Sequence, residues 1–377
     1  MPQPKNFGFE DEANLLKDSA RRFFTEKLPV DALHQLVADD PNPELARVNA
    51  WPEELWREMA ELGWSGLTVP EAYGGIGMPY VAVAGLLEEH GRAACPSPLL
   101  ATLQSTAILS SAGDAASGPL AEVLEGCSVS PALMDKAGDT DNPGVAVVNG
   151  RLEGVAHYVQ DANKVDRFLV LAQNGDMREL YWVDSNAEGV RVEADAIIDL
   201  TRDQATVHFY DVEGSKINGD GAAFFAQALP AIWVLVSADM VGGAEWLLQT
   251  TVEYAQQRKQ FDRPLGFFQA VKHDLVNVMI SIDESKSLLY SAACALDTEP
   301  ERALSLAHMT KASASDTAAF ASGRAVQCHG GIGFTWECYL HLYFKRQEHS
   351  LRLWGDAAWH RAKLADLTIG EVGSQAA

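Results

Sequence analysis

TVEYAQQRKQFDRPLGFFQAVKH, running from Thr251 to His273, is the stretch whose reading decides the fold. Val252, Ala255 and Gln256 share one helical face, and no Gly or Pro interrupts that part of the run. Pro264 and Gly266 then break the helix, since proline lacks a backbone N–H and glycine frees the chain. Val271, Leu275, Val278 and Met279 recur at helical spacing beyond the break, so a second amphipathic helix follows. Arg258 and Lys259 lie at the end of the first helix, beside an aromatic (Phe261) and a side-chain amide (Gln269). Such a set suits a planar, anionic ligand: a guanidinium pairs with pyrophosphate, a phenyl lies against a ring, and an amide donates to phosphate or ribose. The same residues also fit a plain helix–turn–helix whose basic side chains complement the helix dipole.

The neighbouring segments extend the helical reading. Ala222 to Leu248 is the most apolar stretch, but it contains Pro230, Asp239 and the pair Gly242-Gly243, which favours a buried bundle helix over a membrane span. On the other side, Ala312, Ser313, Ala314, Ser315, Ala318, Ala321 and Ser322 share a helix whose small side chains permit close helix approach. It ends in Gln327-Cys328-His329-Gly330-Gly331-Ile332-Gly333-Phe334. These glycines look like a phosphate loop, yet a dinucleotide fingerprint follows a strand and opens a helix, and this one follows a helix. A capping turn is the plain alternative.

Upstream the composition changes. Val145–Val148, Phe168–Leu171, Glu179–Val183 and Thr206–Tyr210 are short β-prone runs punctuated by Gly, Asn and Asp. Before them, helical periodicity returns around Glu10–Glu26, Trp51–Leu62, Val81–Arg92 and Pro98–Ser111, with an irregular Gly-rich loop from Gly63 to Gly77. The expectation is an α+β, mostly α chain: a helical domain over 1–125, a β domain over 126–215 and a four-helix bundle over 216–377.

The chain has 377 residues and a formal charge of −23, from 29 basic and 52 acidic side chains. Such a charge repels nucleic acid and anionic membrane, and an anionic ligand needs local Arg or Lys. Cys95, Cys127, Cys294, Cys328 and Cys338 form no CxxC pair and no zinc-ligand spacing, which points to free thiols and no metal. The first residues, MPQPKNFGFEDEANLLK, do not read as a signal peptide, so the expected compartment is the cytoplasm.

Arg258-Lys259-Gln260-Phe261 with Arg263-Pro264-Leu265 and Phe268-Gln269 resembles a signature of the acyl-CoA dehydrogenase family, with Asp262 where the family has Gly. Three further segments resemble the same family in the same order. They are GWSGLTVPEAYGGIG from Gly63, the stretch Asn149 to Ala172, and Gln327 through Phe334. The resemblance implies a helical N-terminal domain, a barrel-like middle domain and a C-terminal bundle that forms the core of an oligomer. It also implies FAD, shared between subunits, with Arg258, Phe261 and Gln269 reaching a neighbour's flavin. Gln327, Gly330 and Gly331 would approach the adenosine portion, and Tyr158 stands where the family places a flavin-stacking Trp. The family's flavin-bonding loop falls on Leu133 to Asp139, where only fragments of its pattern survive.

Oxidation of an acyl-CoA thioester between Cα and Cβ needs a base at Cα. The family usually places a Glu near the C-terminus, and here that position is Gly355, followed by Asp356. An earlier helix carries the base in other members, near Trp233 and Val234 here, and neither is acidic. The remaining candidates are Asp356 and Asp239, with Glu245 behind them. An acid in so apolar a run is either a working group or half of a buried ion pair. This pattern, including Gly355 to Arg361, is similar to the smaller subunits of heteromeric acyl-CoA dehydrogenases that act on steroid or other bulky thioesters. Two functions follow as expectations. One is a helper subunit in an α2β2 assembly, completing a partner's FAD site. The other is a self-sufficient homo-oligomeric dehydrogenase, or an oxidase or monooxygenase of the same fold. Electron-transfer flavoprotein is the expected acceptor.

Overall fold

The computed structural model describes residues 3–38 and 48–370. The chain opens with helices α1 (Asp11–Lys27), α2 (Val30–Ala38), α3 (Glu53–Glu61), α4 (Tyr80–Arg92), α5 (Leu99–Ala112) and α6 (Ser117–Leu124). Strands follow: β1 (Val129–Ala132), β2 (Val145–Val148), β3 (Arg151–Gln160), β4 (Arg167–Asn174), β5 (Met177–Asp184), β6 (Val190–Ala194), β7 (Gln204–Val212) and β8 (Ser215–Ile217). The long α7 (Gly221–Gln257) leads to a short pair, β9 (Lys259–Gln260) and β10 (Arg263–Pro264). Helices α8 (Gln269–Thr298), α9 (Pro300–His329), α10 (Leu340–Ser350) and α11 (Ala357–Ile369) complete the chain. Helical N- and C-terminal parts thus accompany a central set of strands, the order of elements that the resemblance implies.

Two compact units are built from non-contiguous segments. One combines Met1–Asp40, Pro79–Cys95 and Trp233–Ala377; the other combines Pro41–Met78 and Pro96–Ile232. In the second, the sheet runs β6-β7-β3-β2-β4-β5-β8, with β1 parallel to β4. Its buried face carries Phe168, Val170, Val183, Val207 and Phe209, the apolar members of the β-prone runs. Burial of these side chains removes apolar surface from water, which is the main stabilising term.

In the first unit, α4 and α7 cross in near contact. A Cβ on Gly91 would lie 1.9 Å from the Asp239 carbonyl oxygen, and one on Gly242 would lie 1.8 Å from that of Glu88. The Gly242-Gly243 pair therefore serves helix approach rather than a break, and only glycine lets two backbones come so close. Pro230 is likewise accommodated inside α7. By length and composition α7 is apolar enough to cross a membrane, but Ile232, Val234, Leu235, Val236 and Ala238 are fully buried within the protein. The small residues of α9 are buried as expected, Ala314, Ala318, Ala321 and Ser322 among them.

Candidate functional site

The deciding stretch differs from its sequence reading at the break. The helix stops at Gln257, before Pro264 and Gly266, and its last turn is closed by the Arg258 N–H donating to the Tyr254 carbonyl, 2.8 Å. A tight hairpin follows in which Gln260 pairs with Arg263 and Lys259 with Pro264. Its two tip residues, Phe261 and Asp262, have φ of +52° and +61°. Positive φ at both central positions defines the turn type that matches strand twist, and glycine or asparagine normally fills it. Asp tolerates the left-handed conformation at the family's Gly position. A phenylalanine there is costlier, and the ring it holds is 87% exposed. The hairpin thus presents a bare aromatic to solvent, flanked by exposed Arg258, Lys259 and Arg263. Gln269, at the first position of α8, is also exposed.

The glycine-rich segment is a 3-10 turn, Gly330–Phe334, that caps α9. Gly330 adopts φ +66°, and its N–H donates to the Val326 carbonyl. Gln327, Gly330 and Gly331 are exposed, and a Cβ on either glycine would meet nothing within 4 Å. His329 is buried and structural: its Nδ1–H donates to the Ala325 carbonyl at 2.9 Å, and its ring stacks on Tyr254 at 4.1 Å. Exposed guanidinium, amide and phenyl groups together with an open glycine backbone suit an anionic dinucleotide approached from outside the chain.

Tyr158 lies in the other unit, in an irregular part of β3 with φ +59°. Its hydroxyl donates to the Lys136 carbonyl at 2.9 Å, and Met134 bridges to His157. The Asp135 carboxylate accepts from Ala137 and Asp139 N–H at 2.8 and 2.9 Å. The loop on which the family's flavin donors would fall is therefore folded onto its own chain.

The two candidate bases are both engaged. Asp239 is buried in α7; Arg346 donates to it from Nη2 at 2.7 Å and from Nε at 3.3 Å, and His90 Nδ1 approaches at 2.8 Å. That is the ion-pair alternative of its sequence reading: the carboxylate is held by a buried guanidinium. Asp356 is exposed and caps α11, its carboxylate accepting from the Trp359 N–H at 2.8 Å. The cap stabilises a helix start and fixes the side chain beside the backbone. Glu245 is paired with Arg92 and Lys286; burial pushes its carboxyl up, but the two cations bring it below the usual range.

Gly355 sits in the left-handed region at φ +98°, where a Cβ would lie 2.6 Å from the Trp359 ring and 3.1 Å from His360 Nε2. Trp233, at the other family base position, packs on the same cluster: its ring lies 4.4 Å from His308 and 5.0 Å from His360. His360 Nε2–H donates to the Trp354 carbonyl at 3.1 Å, leaving its Nδ1 to accept from His308 Nδ1–H at 2.9 Å. Both imidazoles are neutral. Burial and Lys363 bring His308 down to about 4, while burial, Lys311 and His308 bring His360 down to about 3. Lys311, also buried, donates to the carbonyls of Gly355 and Leu351 and to Ser315 Oγ at 2.8, 3.1 and 2.9 Å. Burial lowers its ammonium to about 7, against the pull of Asp356. Gly355 and Trp233, where the resemblance puts the family's two base positions, thus lie in one packed Trp–His–Lys cluster. Sequence reasoning missed it, although Trp359 and His360, four and five residues after Gly355, were its signal.

Residues 10–116 match the acyl-CoA dehydrogenase N-terminal domain and residues 219–366 the acyl-CoA dehydrogenase C-terminal domain. Over 329 residues the chain is 30% identical to acyl-CoA dehydrogenase IpdE2 of Mycobacterium tuberculosis, covering 86% of this chain and 91% of that one. A variant of the Tcur3481–Tcur3483 steroid ACAD superposes with a TM-score of 0.84 at 29% identity, covering 95% of this chain and 97% of that one. The ChsE4–ChsE5 complex of Mycobacterium tuberculosis shares the fold, with a TM-score of 0.84 at 22% identity over 96% of this chain and 98% of that one. The chain belongs to the acyl-CoA dehydrogenase family, whose cofactor is FAD.

Proposed function

We propose that this chain is the helper subunit of a heteromeric acyl-CoA dehydrogenase, completing a FAD site whose base comes from a second, dehydrogenase-like chain. The observation that carries this reading is Gly355: the family's base position holds a residue that has no room for a Cβ beneath Trp359. FAD supplies the acceptor for the hydride that leaves Cβ of the acyl thioester. The contribution of this chain is binding and orientation. Arg258 would pair with the pyrophosphate, Phe261 would lie against the flavin, Gln269 would donate to phosphate or ribose, and Gln327 with the Gly330-Gly331 backbone would meet the adenosine. Charge-assisted and aromatic contacts of this kind hold a cofactor without touching the reacting carbons. Tyr158 stands where the family places its flavin-stacking Trp, with its ring partly exposed, and would lie against flavin; Asp239 and Asp356 are not assigned as bases.

The substrate class is a bulky acyl-CoA thioester, with electron-transfer flavoprotein as acceptor. The Tcur3481–Tcur3483 steroid ACAD, 29% identical and named for two chains, favours a steroid-like substrate class and a two-chain assembly. The alternative is a homo-oligomer with one flavin per chain and an unconventional base, Asp239 or Asp356. Purification alone and after co-expression with a second acyl-CoA dehydrogenase-like chain separates the two. The helper reading expects little turnover from the chain alone and activity in the co-expressed complex. One flavin per chain and full turnover in a homo-oligomer would remove it.

A further inference from the structure

The glycine-rich turn Gly330–Phe334 has little core of its own. Ile332 is 40% and Phe334 67% exposed, and open space surrounds Gly330 and Gly331. What holds it is the segment just after it. The His34 ring, on α2, lies 4.9 Å from Tyr339 and 5.5 Å from Trp336. The Tyr339 hydroxyl donates to the carboxylate of Asp31, on the same helix. From the far side, His341 on α10 meets the Trp336 ring edge-on at 4.5 Å, and the Lys345 ammonium lies 5.9 Å from its centroid. Among the described residues the Nε2 atoms of His34 and His341 are buried without a hydrogen-bond partner, and both imidazoles make ring contacts with Trp336.

We propose that α2 is a clamp on this turn, with His34 and Tyr339 as positioning residues that hold the Gly330-Gly331 backbone where it meets FAD. The proposal rests on the reading of this chain as half of a FAD site. The clamp matters because a backbone contact to a nucleotide has no side chain to adjust. Its geometry is set by what anchors the turn: His329 and Leu340 close on Gly333, Thr335 bonds back to Ile332, and the residues just beyond, Trp336 and Tyr339, are held against α2. Ring contacts of this kind are each worth enough to change an equilibrium by about two- to tenfold.

The test uses the co-expressed complex carrying His34→Ala, His34→Phe or Tyr339→Phe. It reads amide hydrogen exchange across residues 330–339 and FAD retention on dilution. His34→Ala should speed exchange in that segment but not in α8, and weaken FAD retention roughly three- to tenfold, the loss of one or two ring contacts. His34→Phe should restore both, since a phenyl keeps the stacking surface. Tyr339→Phe should give a smaller shift in the same direction, and it carries the test should circular dichroism show His34→Ala unfolded. Unchanged exchange in a folded His34→Ala protein, or faster exchange with unchanged FAD retention, overturns the clamp. Arg258→Ala serves as the control. If it too leaves FAD retention unchanged, the half-site reading has failed and the clamp falls with it.

Discussion

Placing the family's glutamate back at its position, Gly355→Glu, should destabilise the protein without creating a dehydrogenase. Two costs follow from the structure. At φ +98° any L-residue pays the left-handed penalty, about 1–2 kcal/mol. The new Cβ would also stand 2.6 Å from Trp359, an overpacking that costs about 1–3 kcal/mol when the neighbours must shift. The sum is about 2–5 kcal/mol, and for a unit of this size each kcal/mol lowers Tm by roughly 2–4 °C. Gly355→Ala carries the same Cβ without the carboxylate, so it should lose most of the same stability. Removing the opposing ring isolates the packing share: Gly355→Ala combined with Trp359→Ala should be less destabilised than the sum of the single variants. Thermal unfolding gives the stability, and an artificial electron acceptor with a panel of acyl-CoA thioesters gives turnover. A Gly355→Glu chain with wild-type Tm would refute the packing reasoning. One that gains turnover on its own would refute the view that this position is closed to a base.

Three further outcomes are expected. Arg258→Ala should weaken FAD retention by about ten- to a hundredfold, the loss of a charge-assisted hydrogen bond worth roughly 1.5–3 kcal/mol, with no change in thermal unfolding of the flavin-free protein. Asp239→Asn should destabilise the fold by about 3–5 kcal/mol, because Arg346 loses its buried counter-charge, while the folded fraction of the complex keeps its turnover. Loss of turnover with unchanged stability would make Asp239 a catalytic acid–base instead. His308, His360 and His341 are all held below the ordinary imidazole range, to about 4, 3 and 4, so the unfolded chain binds protons that the folded chain refuses. Stability should therefore be greatest above pH 6.5, fall as the pH drops below it, and level off once the folded values are passed. A flat Tm between pH 7 and 5 would contradict the neutral Trp–His cluster.

The helices at both ends and the strands between them were legible because periodicity is local. Val271, Leu275, Val278 and the small residues of α9 repeat at intervals that only a helix places on one side. The hairpin tip was not legible. Pro264 and Gly266 were the visible breakers, but the turn forms earlier, at Phe261 and Asp262, whose left-handed backbone is a property of the folded chain rather than of their residue types. The glycine pair in α7 also needed the fold, since its purpose appears only when α4 crosses it.

The loss of a carboxylate at Gly355 can be read from the letters alone, and so can the presence of Arg258, Phe261, Gln269 and Gln327 in the family's order. What became of the vacated position could not. Trp233, the i,i+3 pair His308 and Lys311, and Trp359 lie on three different helices, and no local rule brings those helices together. Their cluster, the Arg346 and His90 that hold Asp239, and the His34 that braces the glycine turn are contacts between distant elements. Periodicity decides which face of an element is buried, whereas the choice of partner across that face is made by packing, and packing exists only once the chain has folded.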